Sequence, residues 1–120
     1  MKIVVTSQGT DLDSPVDPRF GRARHFLLVE TETLETTAHD NAQNLNAPQG
    51  AGIQAAQAVH DLGAGAVVTG HVGPKAFTTL HAAGIAVYLG ASGSAREAIE
   101  QLRAGQLQRA ERANVEGHWA

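Results

Sequence analysis

The chain has 120 residues, a mass of 12.5 kDa and a formal net charge of −3, with 42% hydrophobic and 18% charged residues. This is the size and balance of one globular domain and excludes a disordered chain. The negative charge and an aromatic content of 4% argue against a nucleic-acid surface, and the absence of cysteine removes disulfides, cysteine-ligated zinc or iron–sulfur centres and thiol catalysis.

Strand one is expected over Lys2–Thr6, a β-branched run closed by Ser7-Gln8-Gly9. Residues 8–18, with Gly9, Pro15, Pro18 and three aspartates, read as a loop. His25–Glu30 reads as strand two and Leu34–His39 as strand three of a hairpin. A polar loop then leads to a first helix over about Ala51–Leu62, with Ala55, Ala58, Val59 and Leu62 as its apolar face and Gly63 as its stop. Ala66–Thr69 is a short buried strand. After Gly70-His71-Val72-Gly73, Pro74 opens a second helix that buries Ala76, Phe77 and Leu80 and stops at Gly84. Ile85–Leu89 is the fifth strand. Ser94 and Glu97 form a capping-box pattern for a third helix, with Ala95, Ala98, Ile99 and Leu102 as its stripe and Gly105 as its end. The remainder, 106–120, has no clear period, so a domain over 1–105 and a C-terminal tail are expected.

The order βββαβαβα predicts an α/β fold in which a meander joins a parallel βαβ half through a central strand one. Strands one, three, four and five then run one way and strand two the other. This places the loops 8–24, 41–50, 70–74 and 90–93 at one edge, where open α/β sheets bind ligands. The same edge gathers Arg19, Arg22, Arg24, His25, His71 and Lys75. Gly70–Lys75 has the form of a glycine loop before a helix N-terminus, which presents amide donors to an anion; a tight turn alone would use the same residues. Arg19–His25 concentrates cations around Gly21, and it reads equally as a loop anchored by Phe20 with solvated arginines.

Other patterns fail. Gly50-Ala51-Gly52 lacks the preceding strand and later acidic residue of a dinucleotide fingerprint. Asp11, Asp13 and Asp17 lack the glycine and glutamate of a calcium loop, so turn formation and solvation account for them. The histidines show no helical i, i+4 pair, which leaves His25, His71 and His118 as candidate ligands and predicts no tightly bound zinc or iron after purification in air. No nucleophile elbow occurs and strand one carries no carboxylate, so no enzyme activity is expected. No stretch reaches the roughly 20 apolar residues of a membrane span, and the opening run is too short for a signal peptide. A cytoplasmic protein with neither membrane nor nucleic-acid partners is expected.

Lys2-Ile3-Val4-Val5-Thr6, Phe20-Gly21-Arg22-Ala23 with Phe26, Gly50 and Gly52, Gly70–Ala76 with Leu80, and Gly84–Tyr88 occur in an order and spacing that resemble the dinitrogenase iron–molybdenum cofactor biosynthesis family. The family takes in NifX- and NafY-like proteins, the NifB C-terminal domain and an orange-protein-like branch. The resemblance covers residues 2 to about 104. It implies a ribonuclease-H-like mixed five-stranded sheet in order 3-2-1-4-5, strand two antiparallel, with three helices and no nuclease activity.

It also implies a non-enzymatic carrier of an anionic metal–sulfur cluster of the iron–molybdenum cofactor or molybdenum–copper sulfide type, and a cofactor-receiving protein as partner. On that reading Arg19, Arg22 and Lys75 supply charge. Gly21, Gly70 and Gly73 allow close backbone approach, and His25 and His71 are candidate metal ligands. Cofactor-carrying members often have His where this chain has Arg19, so a direct metal bond is lost there while charge and donors remain. The rival reading is a regulatory or structural interaction module whose basic edge binds a protein.

Overall fold

A computed structural model describes residues 1–41 and 50–113. Its strands and helices are β1 (Lys2–Ser7), β2 (His25–Glu30), β3 (Thr36–Asp40), α1 (Ala51–Asp61), β4 (Ala66–Val68), α2 (Pro74–Ala82), β5 (Ala86–Leu89), α3 (Ala95–Arg103) and β6 (Gln108–Arg109). They form a mixed sheet in the order β3-β2-β1-β4-β5-β6. β1 pairs antiparallel with β2 and parallel with β4, β2 antiparallel with β3, and β4 parallel with β5.

The sheet therefore has six strands, not the expected five. The sixth comes from the segment read as tail: Gln108 and Arg109 pair antiparallel with Leu89 and Tyr88. Two exposed polar residues carry no period-2 signal, because this edge strand is held by backbone hydrogen bonds and by Ala110, whose N–H donates to Val87 O at 2.8 Å.

β1 is central because Ile3–Ser7 are buried on both faces. Val4 points toward α1 and α2 and packs with Phe20, Phe26, Ala55, Val59, Leu80 and Val87. Ile3 and Val5 point the other way, onto Leu27, Val29, Ala98 and Ile99. Alternation along one strand thus serves two cores, with two helices on one face of the sheet and α3 on the other. Each fully buried Val, Leu, Ile or Phe side chain contributes about 1.5–3 kcal/mol of transfer free energy.

The helix stops fall where expected. Gly63, Gly84 and Gly105 have φ of 79°, 75° and 71°, a left-handed conformation in which a Cβ would be strained. β3 starts two residues later than expected because Leu34 is itself left-handed (φ 63°). Leu34 N–H donates to Glu30 O at 2.7 Å and Glu30 N–H to Glu35 O at 2.9 Å, so Leu34 belongs to the turn. Its side chain packs against the α3-side core, which offsets the left-handed cost of about 1–2 kcal/mol.

Candidate functional site

The carboxyl ends of β1, β3, β4 and β5 share one edge, as the chain order implies. Buried polar side chains gather there. Among the described residues they are Thr6, Ser7, Asp17, Asn41 and Thr69, which either end these strands, directly follow them, or lie in the loop after β1. A buried polar group needs a partner, and these have them. Thr6 Oγ1 donates to Asp17 O at 2.7 Å and lies 2.8 Å from Thr69 Oγ1. Gly9 N–H donates to Ser7 Oγ at 3.2 Å.

The loop after β1 is sewn across this edge by its backbone. Gln8 N–H donates to Pro15 O and Asp17 N–H to Thr6 O, both at 2.9 Å. On one side Val16 N–H donates to Gly93 O and Ala95 N–H to Ser14 O, both at 2.9 Å. On the other, Arg19 pairs in parallel with His71: His71 N–H donates to Pro18 O at 2.7 Å and Phe20 N–H to His71 O at 3.2 Å. Phe20 is fully buried, and its ring stacks on Phe26 at 5.9 Å between centroids. It is the anchor that the sequence suggests.

Arg19 and His71 are therefore brought together, and Gly73 and Lys75 follow on the same connection into α2. Arg19 and Lys75 are exposed, Arg22 is half-buried, and Gly21 and Gly73 are buried. His25 stands apart. It opens β2, opposite Ser7 on β1 and Asp40 on β3, on the sheet face of Leu27 and Val29. His25 lies on β2 and His71 follows β4, and these two strands flank β1 on opposite sides. Among the described residues no three His, Asp or Glu side chains are grouped to hold a metal ion. The loop expected over 41–50 lies outside the described residues except for Asn41 and Gly50, as does His118.

One expected glycine gains a packing reason and one expected aspartate is corrected. The missing side chain of Gly70 makes room for Pro18. A Cβ on Gly70 would lie 2.8 Å from Pro18 O and 2.9 Å from Pro18 Cα, so its lack of a side chain serves chain-to-chain packing. Asp17 makes the expected turn but is not solvated. It is 8% exposed; Oδ1 accepts from Arg19 N–H at 3.2 Å and Oδ2 from Arg24 N–H at 3.3 Å. Asn41, also buried, donates from Nδ2 to Gly21 O at 3.3 Å and Ala23 O at 2.8 Å. Neither Asp17 nor Asn41 figured among the candidates. An Asp two residues before Arg19 has the spacing of an Asx turn, the one local signal that was available. Asn41 sits in a polar stretch with no pattern to single it out.

The helices divide into two kinds. α3 has a complete capping box: Glu97 N–H donates to Ser94 Oγ and Ser94 N–H to Glu97 Oε1, both at 3.1 Å. α1 and α2, which pack together on one face, begin at Gly50 and Gly73, with no side-chain cap and no acidic residue in the first turn. Both begin at the carboxyl edge, so the positive ends of both helix dipoles face the side that carries the arginine loop.

The profile of the dinitrogenase iron–molybdenum cofactor family matches residues 1–105. The chain belongs to this family. Among its relatives, an uncharacterized protein of Methanocaldococcus jannaschii is 31% identical over 98 residues, covering 80% of this chain and 83% of that one. The apo form of the orange protein from Desulfovibrio gigas is 43% identical with a TM-score of 0.91, over 95% of this chain and 96% of that chain. A NifB-like protein from Thermotoga is 32% identical with a TM-score of 0.82, over 97% and 98%. No helix among the described residues is long and apolar enough to cross a membrane.

Proposed function

We propose that this protein is a non-enzymatic carrier of an anionic metal–sulfur cluster of the iron–molybdenum cofactor or molybdenum–copper sulfide type, working in the cytoplasm and delivering its cargo to a cofactor-receiving protein. The observation that carries this reading is the pair of glycine-led helix N-termini, α1 and α2, at the carboxyl edge of the sheet with no acidic residue in either first turn, the second of them directly after the His71 that pairs with Arg19. Amide donors, helix dipoles and guanidinium groups all favour negative charge, and they do so without thiolate ligands. Family membership and the likeness to the orange protein support the same cargo.

Arg19, Arg22 and Lys75 supply charge around the cargo, and Gly21 and Gly73 let backbone approach it. His71, next to the Arg19 pairing, is the better placed of the two candidate metal ligands; His25 reaches the cargo only from beyond β1.

Anaerobic titration with tetrathiomolybdate, with and without copper(I), followed by visible absorption and by metal and sulfide analysis, tests this. Saturable binding at a fixed stoichiometry, weakened by salt, is expected. No binding at low ionic strength would remove the carrier reading and leave the protein-interaction module.

A further inference from the structure

The three arginines of the loop after β1 lie within six residues, Arg19, Arg22 and Arg24, and two buried side chains hold the backbone that carries them. Asp17 accepts the N–H groups at the two ends of this stretch, Arg19 and Arg24. Asn41 donates to the carbonyls in its middle, Gly21 and Ala23, while its own N–H donates to Arg24 O at 3.1 Å. Asp17 is in turn fixed to β1, because its N–H donates to Thr6 O and its carbonyl accepts from Thr6 Oγ1. We infer that Asp17 and Asn41 are positioning residues: they fix the spacing of the Arg19, Arg22 and Arg24 guanidinium groups as a preformed cradle for a multiply charged anion. This inference rests on the anion-carrier reading of the same edge.

The placement of Asp17 needs such an explanation. A buried carboxylate beneath an anion-binding loop is electrostatically unfavourable to the anion. An acceptor for two amides five residues apart in sequence is hard to supply otherwise, since one carboxylate offers two oxygens on a short stem. Order in the loop before binding lowers the entropy lost on binding, and that gain competes with the unfavourable charge.

The two effects have opposite signs, so Asp17→Asn decides between them. The variant removes the charge, keeps one acceptor oxygen and turns an NH2 donor toward the other amide. Positioning predicts tetrathiomolybdate affinity about tenfold weaker at every salt concentration, well below the melting temperature, with the slope of log K against log salt unchanged because all cations remain. Charge alone predicts tighter binding, which would overturn the inference. So would unchanged affinity.

A ligand-free measurement separates this from failure of the carrier reading. Asp17→Asn should speed amide hydrogen exchange at Arg19 and Arg24 and lower the NMR order parameters of 19–24, while β1 and β4 stay protected. An unaltered loop overturns the inference whether or not the wild-type protein binds thiometallate. Asn41→Ser is the second variant, read by the same two measurements, should Asp17→Asn fail to fold; its expected loss is also about tenfold.

Discussion

Thr6, next to the end of β1, and Thr69, directly after the parallel neighbour β4, bring their hydroxyl oxygens to 2.8 Å with no exposed surface on either residue. The register pairs Val4 with Val67 and Val5 with Val68, so the two Val-Val-Thr runs lie side by side and bring their only polar residues to the same height. Thr6 also donates to Asp17 O, so this pair joins the sheet to the loop that carries the arginines.

Thr6→Val is isosteric and removes that junction. It leaves Thr69 Oγ1 and Asp17 O without their shared partner, at a cost of about 1–3 kcal/mol in urea unfolding. Thr6→Val combined with Thr69→Val should cost less than the sum of the two single changes, because the second change removes a hydroxyl already orphaned.

Gly70→Ala tests the approach of Pro18. The new methyl would press on Pro18 backbone atoms at 2.8–2.9 Å, which cannot rotate away as a side-chain tip can. A stability loss of about 1–3 kcal/mol is expected by thermal unfolding, along with altered amide shifts at Arg19 and His71, which pair beside the contact.

Arg19→Ala and Lys75→Ala should each weaken thiometallate binding by on the order of 1–3 kcal/mol and flatten its salt dependence, because each removes a cation. His71→Ala should weaken it more if the imidazole bonds to metal, with the salt slope preserved. A titration indifferent to all three changes would place the cargo elsewhere.

Glu30 gives a pH prediction. Its carboxylate accepts from the Met1 ammonium at 2.7 Å, and this hydrogen bond, followed by the Glu32 N–H, lowers its titration below the usual 4.5. A carboxyl depressed by folding stabilises the fold above its unfolded value and loses that contribution as pH falls through its folded value. Carbon-13 NMR should show Glu30 titrating below 4.5, and acetylation of the amino terminus should raise the titration toward the ordinary value.

The central place of β1 was legible because a meander over His25–Glu30 and Leu34–His39 gives way to a βαβ alternation around Ala66–Thr69, while the full order 3-2-1-4-5 was what the family resemblance implied. Gly63, Gly84 and Gly105 marked helix ends for a local reason, left-handed φ. β6 was not legible because Gln108 and Arg109 contribute backbone rather than pattern. At the site, the grouping of Arg19 with His71 followed from topology. The role of Gly70 did not, since a turn glycine and a glycine packed against another segment look alike along the chain. Asp17 and Asn41 were not legible because they work through hydrogen bonds to backbone, which carry no residue pattern along the chain. The repeated Val-Val-Thr was the one long-range cue, and it becomes informative only once the β1–β4 register is known.

The junction between Thr6 and Thr69 spans 63 residues. Pro18 against Gly70 and Arg19 beside His71 are likewise joined only when β1 lies along β4. Pairings of such separation close late, because loop entropy must be overcome before they are rewarded. The fastenings of the arginine loop to Thr6 and Asn41 lie within the first 41 residues, but its pairing with His71 and the seat of Pro18 on Gly70 wait until β4 has been made and docked. The carboxyl edge of the sheet therefore reaches its final arrangement only with the completed fold, even though most of the ties within the arginine loop are local.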